Sequence, residues 1–126
     1  MNEIVLRIEK AEKLLRDAEI ELEMGMHERC CSTAYYAMFH TAKAMILAIG
    51  EDSRTHRGTI YLIWKNREKL GLSEEDCMNL TKAFDLREES DYGIFQEISG
   101  ETARVVLKNA RHFVERAKKF LKTVRP

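Results

Sequence analysis

The chain's single proline is Pro126, so nothing before it removes a backbone donor or breaks a helix by ring closure. Apolar residues recur at alternating spacings of four and three. Ile4, Ile8, Ala11, Leu15, Ala18 and Leu22 line one face of a first predicted helix that ends near Gly25. Cys31, Tyr35, Met38, Ala42, Met45 and Ile49 repeat the pattern on a second, stopped by Gly50. Ile60, Ile63, Trp64, Arg67 and Leu70 predict a shorter third helix ending at Gly71. Ser73, followed by Glu74, Glu75 and Asp76, offers an N-cap and the acidic first turn of a fourth, which carries Cys77, Leu80, Phe84 and Arg87 and bends or stops near Ser90 to Gly93. The last helix begins around Ser99 to Glu101 and runs to about Val124, with Ala103, Val106, Ala110, Phe113, Ala117 and Phe120 inward. Short connections make neighbouring helices antiparallel, and no segment alternates as a strand would. The expectation is an all-α, up-and-down bundle of about five helices forming one domain over residues 1–126.

Composition narrows the functional classes. Lys plus Arg and Asp plus Glu are both 21, so there is no global basic field, and any RNA contact must be local. The longest apolar run, Ala44 to Ile49, is too short to span a bilayer, and the beginning lacks a secretory pattern, which makes the cytoplasm the expected location. Three cysteines without paired spacing do not form a disulfide framework. The four histidines, His27, His40, His56 and His112, share no short spacing, and no phosphate loop or nucleophile motif is present, so neither a metal nor a cofactor is expected. Apolar helix faces around Ile46, Ile60, Ile63, Trp64 and Ile94 look like more than one small bundle can bury.

Three places combine polar with apolar side chains. Tyr36, His40 and Lys43 fall on one face of the second helix, where His40 either satisfies a buried carbonyl or belongs to a site. Thr55, His56 and the arginines Arg54 and Arg57 stand at the entry to the third helix, where Thr55 caps the first turn or the cluster receives a phosphate. Arg87 continues an inward stripe and needs acceptor oxygens; Asp91, one turn on, is the nearest partner, and Tyr92 adds a hydroxyl.

The segments Ala11 to Leu15, Ala34 to His40, Thr55-His56-Arg57-Gly58, Arg87 to Gly93 and Ala110 to Leu121, in that order, resemble the HEPN domain, specifically its small stand-alone members. That resemblance implies an all-α bundle that commonly homodimerises and is often encoded beside a minimal nucleotidyltransferase. In many members it acts as a metal-independent endoribonuclease toxin. Active ribonuclease members carry an arginine followed, after a short spacer, by a histidine. Here Arg87 matches the arginine, but Tyr92 stands five residues on and no histidine follows before His112. A phenol with a pKa near 10 is a poor proton shuttle at neutrality. The expected function is a nucleotide- or RNA-binding partner of a minimal nucleotidyltransferase in a toxin–antitoxin-like module. The alternatives are a divergent endoribonuclease that uses His40 or His56 beside Arg87, and a structural partner without a ligand. The expected ligand-binding set is Arg87, Asp91, Tyr92, Tyr36, His40, Thr55 and His56.

Overall fold

In the computed structural model, residues 2–91 and 97–124 are described, apart from the side chains of Asn2 and Asp91. Every regular element among them is a helix: α1 (Asn2–Glu23), α2 (His27–Ala48), α3 (His56–Lys65), α4 (Glu74–Asp91) and α5 (Gly100–Thr123). The all-α bundle expected from periodicity is therefore the fold. None of these helices is long and apolar enough to cross a membrane.

The turns follow from local chemistry. Gly25 and Gly50 take φ of 77° and 82°, which lets the next residue's N–H turn back onto the helix just ended. Met26 N–H donates to Glu21 O at 2.8 Å, and Glu51 N–H donates to Ile46 O at 2.9 Å. Ser73 and Asp76 form a reciprocal capping box at α4: Asp76 N–H donates to Ser73 Oγ at 3.1 Å, and Ser73 N–H donates to Asp76 Oδ2 at 2.9 Å. Ser99 caps α5 by accepting from Thr102 N–H at 3.1 Å.

α2 is the central element and packs against all four other helices. Its buried residues accordingly exceed a single stripe: Thr41 to Ile46 are buried without interruption. Ala34, Ala37, Ala42 and Ala44 are wholly buried, so neighbouring backbones can come close. α1 and α5 flank α2, while α3 and α4 close the remaining side. On α5, Leu107 and Val114 join the expected inner face, and Val106 lies at its margin.

Two expectations change. The third helix ends at Lys65, six residues before Gly71, because the Asn66 side-chain amide donates to Leu62 O at 2.9 Å and its backbone N–H donates to the same oxygen. A series of turns through Gly71 then carries Leu70 and Leu72 into the core. The apolar surplus is also smaller than expected: Ile46, Ile60 and Ile63 are buried within this one bundle, and Trp64 is half-buried with its indole N–H donating to Thr81 Oγ1 at 3.0 Å. Ile94 lies outside the described residues.

Candidate functional site

The best-organised polar cluster is built around His56, the first residue of α3. Thr55 has extended backbone and caps that helix, its hydroxyl accepting from Gly58 N–H at 2.8 Å. This cap fixes where the His56 side chain leaves the chain. The Thr55 hydroxyl is thereby engaged in structure.

His56 lies against the aromatic face of α2. Its ring stacks on Phe39 with centroids 4.0 Å apart and planes 7° from parallel, and meets Tyr36 edge-on at 5.9 Å. The Tyr35 hydroxyl lies 2.6 Å from His56 Nδ1. Tyr35 is fully buried, and that burial pushes its hydroxyl's pKa up, well above its ordinary value, so the phenol keeps its proton and must donate. Nδ1 is then the acceptor, and neutral His56 carries its proton on Nε2.

Arg87 reaches the cluster from α4, its guanidinium carbon 5.0 Å from the Tyr36 ring centroid. Arg57 sits over Phe84 at 5.2 Å and donates to Glu88 Oε1 at 3.0 Å, tying α3 to α4. His56 is held below the usual histidine pKa, first by burial and then by the Arg87 charge, with Glu88 opposing. At neutral pH it is a neutral ring.

His40 follows the same rule with a different donor. It accepts at Nδ1 from Arg7 Nη1, 2.9 Å away on α1, because a guanidinium can only donate. This differs from the expected bond to a buried carbonyl. Burial, then Arg7, Lys10 and His56, lower the pKa of His40, so it too is neutral with its proton on Nε2. Among the described residues the only buried side-chain polar atom without a hydrogen-bond partner is Glu21 Oε1. No described residue accepts from either Nε2.

Lys43 is engaged elsewhere. Its ammonium is buried between the Asp52 carboxylate and Ser53 O, which accepts from it at 2.6 Å, and its hydrogen bond holds Asp52 below the usual carboxylate range. The cysteines are not candidates either. Burial pushes Cys30 to about 11, Cys31 to about 12 and Cys77 to about 11, so all three remain thiols. Among the described residues no group of three or more His, Cys, Asp or Glu side chains is placed to hold a metal ion.

Of the residues singled out in the sequence, Tyr36, His56 and Arg87 therefore come together, and Thr55 positions His56. His40 stands on the other side of the Phe39 contact, beside α1 rather than beside Arg87. Asp91 ends α4, but its side chain and the whole of Tyr92 lie outside the described residues. Sequence reasoning missed Tyr35, Phe39 and Arg7. The first two were visible in the run Ala34 to His40 but read as core. Arg7 is 33 residues from the histidine it meets, and nothing in local spacing marks it.

The structure is thus a small all-α bundle with a histidine, two arginines and stacked aromatics gathered at one helix entry. The chain belongs to the HEPN domain family, whose profile matches residues 4–122. It is similar to a UPF0332 protein of Archaeoglobus fulgidus, 66% identical over 94% of both chains. It is also similar to two proteins of Methanocaldococcus jannaschii: "Putative toxin MJ0605", 34% identical over 97% of this chain and 91% of that one, and "Putative toxin MJ0142", 30% identical over 90% and 78%.

Proposed function

We propose that this protein is the HEPN member of a toxin–antitoxin-like pair, that it binds a nucleotide or RNA phosphate beside Arg87 and His56, and that a minimal nucleotidyltransferase is its partner. The observation that carries this reading is the state of His56: a neutral imidazole with Nδ1 tied to Tyr35, its proton on Nε2, and the Arg87 guanidinium close enough to depress its pKa. Such a group donates to a phosphate oxygen while an arginine supplies charge. The toxin names of two relatives support the module.

The same tautomer argues against efficient cleavage by His56. Its free lone pair is already used at Nδ1, and Nε2–H gives up a proton only to form an imidazolate. A general base needs an open lone pair and a general acid needs a pKa near neutrality. A divergent metal-independent ribonuclease is the second reading; the relatives' names favour a toxin, and the family resemblance supplies the nuclease.

The test is calorimetric titration of the native protein and Arg87→Ala with mononucleotides and short RNAs, alongside circular dichroism melts. Heat of binding in the native protein, weakened in Arg87→Ala at nearly unchanged stability, is expected. No heat from any ligand, with marked loss of stability in Arg87→Ala, would instead make the cluster an internal network. Co-purification with a neighbouring nucleotidyltransferase, where one is encoded, tests the partner.

A further inference from the structure

His40 and His56 are built alike on one aromatic ring. His56 stacks on Phe39 at 4.0 Å, and His40 meets the same ring at 5.8 Å with planes at 67°, so the two imidazoles lie within about 10 Å of each other, close enough for neighbouring phosphates on one strand to engage both. Each carries its proton on Nε2 because a fixed donor occupies Nδ1: the Tyr35 hydroxyl for one, the Arg7 guanidinium for the other. Each also has an arginine at hand, Arg87 for His56 and Arg7 for His40.

After burial, the charges that depress His40 come from the cations Arg7 and Lys10, with His56 third. An arginine beside a histidine normally competes with it for a carboxylate, yet here the guanidinium donates straight to the ring. Lys10, one turn along α1 from Arg7, adds a second exposed cation. Two acids stand near. Glu3 accepts from Arg7 Nε at 3.0 Å but is more than half exposed, and Asp52 is held by Lys43 and by Ser53 N–H at 2.7 Å. Donors exceed acceptors, which suits an anion and not a metal ion.

We infer that Arg7, Lys10 and His40 form a second phosphate subsite, so the ligand is an RNA strand with at least two internucleotide phosphates, laid from Arg87 and His56 across Phe39 to α1. This rests on the phosphate reading of the Arg87 site, and the two can fail separately. A strand engages both subsites, whereas a mononucleotide reaches one.

The experiment compares native protein, Lys10→Gln and Arg7→Gln, each checked by thermal melting, for binding of a nucleoside monophosphate, a nucleoside triphosphate and a short labelled single-stranded RNA over a range of salt. Lys10 is exposed, so its variant reports on binding even if Arg7→Gln disturbs the fold. The expected result is that both variants bind RNA more weakly and the plot of log affinity against log salt becomes shallower by about 0.7 for each cation removed. Mononucleotide binding stays native-like. RNA affinity and salt slope unchanged in Lys10→Gln would overturn the second subsite while leaving the first intact. A loss confined to the triphosphate would assign the subsite to a nucleotide's own phosphate chain and overturn the strand. Absence of binding by every ligand to the native protein would overturn both readings.

Discussion

At the scale of single residues, the hydroxyl of Tyr35 decides what His56 can do. Without it, Nδ1 would have no protein donor and either ring nitrogen could carry the proton. Tyr35→Phe is expected to cost about 1 kcal/mol, the net value of one hydrogen bond, with the aromatic packing retained. Nitrogen-15 NMR of the ring should change from one Nε2–H tautomer to a mixture. An unchanged spectrum would mean that another group sets the tautomer. The two depressed histidines also make a signed prediction about pH. Folded His40 and His56 resist protonation below the ordinary value of 6.5, while in the unfolded chain they take protons there. Their contribution to stability is fully present above 6.5 and is lost as pH falls from 6.5 through their lower folded values. Urea midpoints should therefore drop between about pH 7 and about pH 5, and His40→Gln with His56→Gln should flatten that part of the curve.

At the scale of elements, α3 is short and depends on its entry. Gly58 shows why Thr55-His56-Arg57-Gly58 reads as a unit: a Cβ placed there would lie 2.1 Å from Ser53 Oγ and 2.8 Å from Thr55 Oγ1. Those oxygens hold the cap and the loop, with Ser53 Oγ accepting from Thr55 N–H at 3.3 Å. Gly58→Ala should displace both and lose about 1–2 kcal/mol, at least as much as Thr55→Ala, which removes the cap alone. Chemical denaturation of the two variants checks this. Equal stability of Gly58→Ala and native protein would show that Ser53 simply turns aside. Because His56 is the first residue of α3, both variants should also weaken phosphate binding. Arg57→Ala, which cuts the tie to Glu88 on α4, should leave the cap intact.

At the scale of the whole molecule, the expected homodimer now has the HEPN family behind it rather than an excess of apolar surface. Of the residues that suggested excess, Ile46, Ile60 and Ile63 fill this bundle's own core, and the exposed large hydrophobics of the helices are divided among α1 (Val5, Leu6 and Ile20), α3 (Tyr61), α4 (Met78) and α5 (Val105). Light scattering at tens of micromolar, an order-of-magnitude concentration suited to an obligate interface, should still give twice the mass of one chain; a monomer would remove the dimer from the proposed function. Catalysis belongs to this scale too, since paired arginine motifs would need two copies. Purified native protein in chelator is expected to cut RNA weakly, and Tyr92→His, which restores the histidine of the ribonuclease pattern, is expected to cut more. Strong native cleavage lost in Arg87→Ala would reverse that order and favour the toxin-nuclease reading.

Helix number, order and most boundaries were legible in the linear chain, because the 3.6-residue period, the capping serines and the glycines act within a few residues of one another. The end of α3 was misread for a local reason: an asparagine side chain competing for the Leu62 carbonyl leaves no trace in hydrophobic periodicity. Arg87, Tyr36 and His40 were recognisable as costly polar groups among apolar ones, since burial penalties depend on residue type, and Thr55 and His56 as a polar cluster at a helix entry. Their grouping was not. Only the packing of α1, α3 and α4 around α2 set Arg7 against His40, Tyr35 against His56 and Arg87 against Tyr36, because contacts between residues far apart in sequence are chosen by how helices dock. The same docking sets the proton position on each imidazole, and with it what the site can bind.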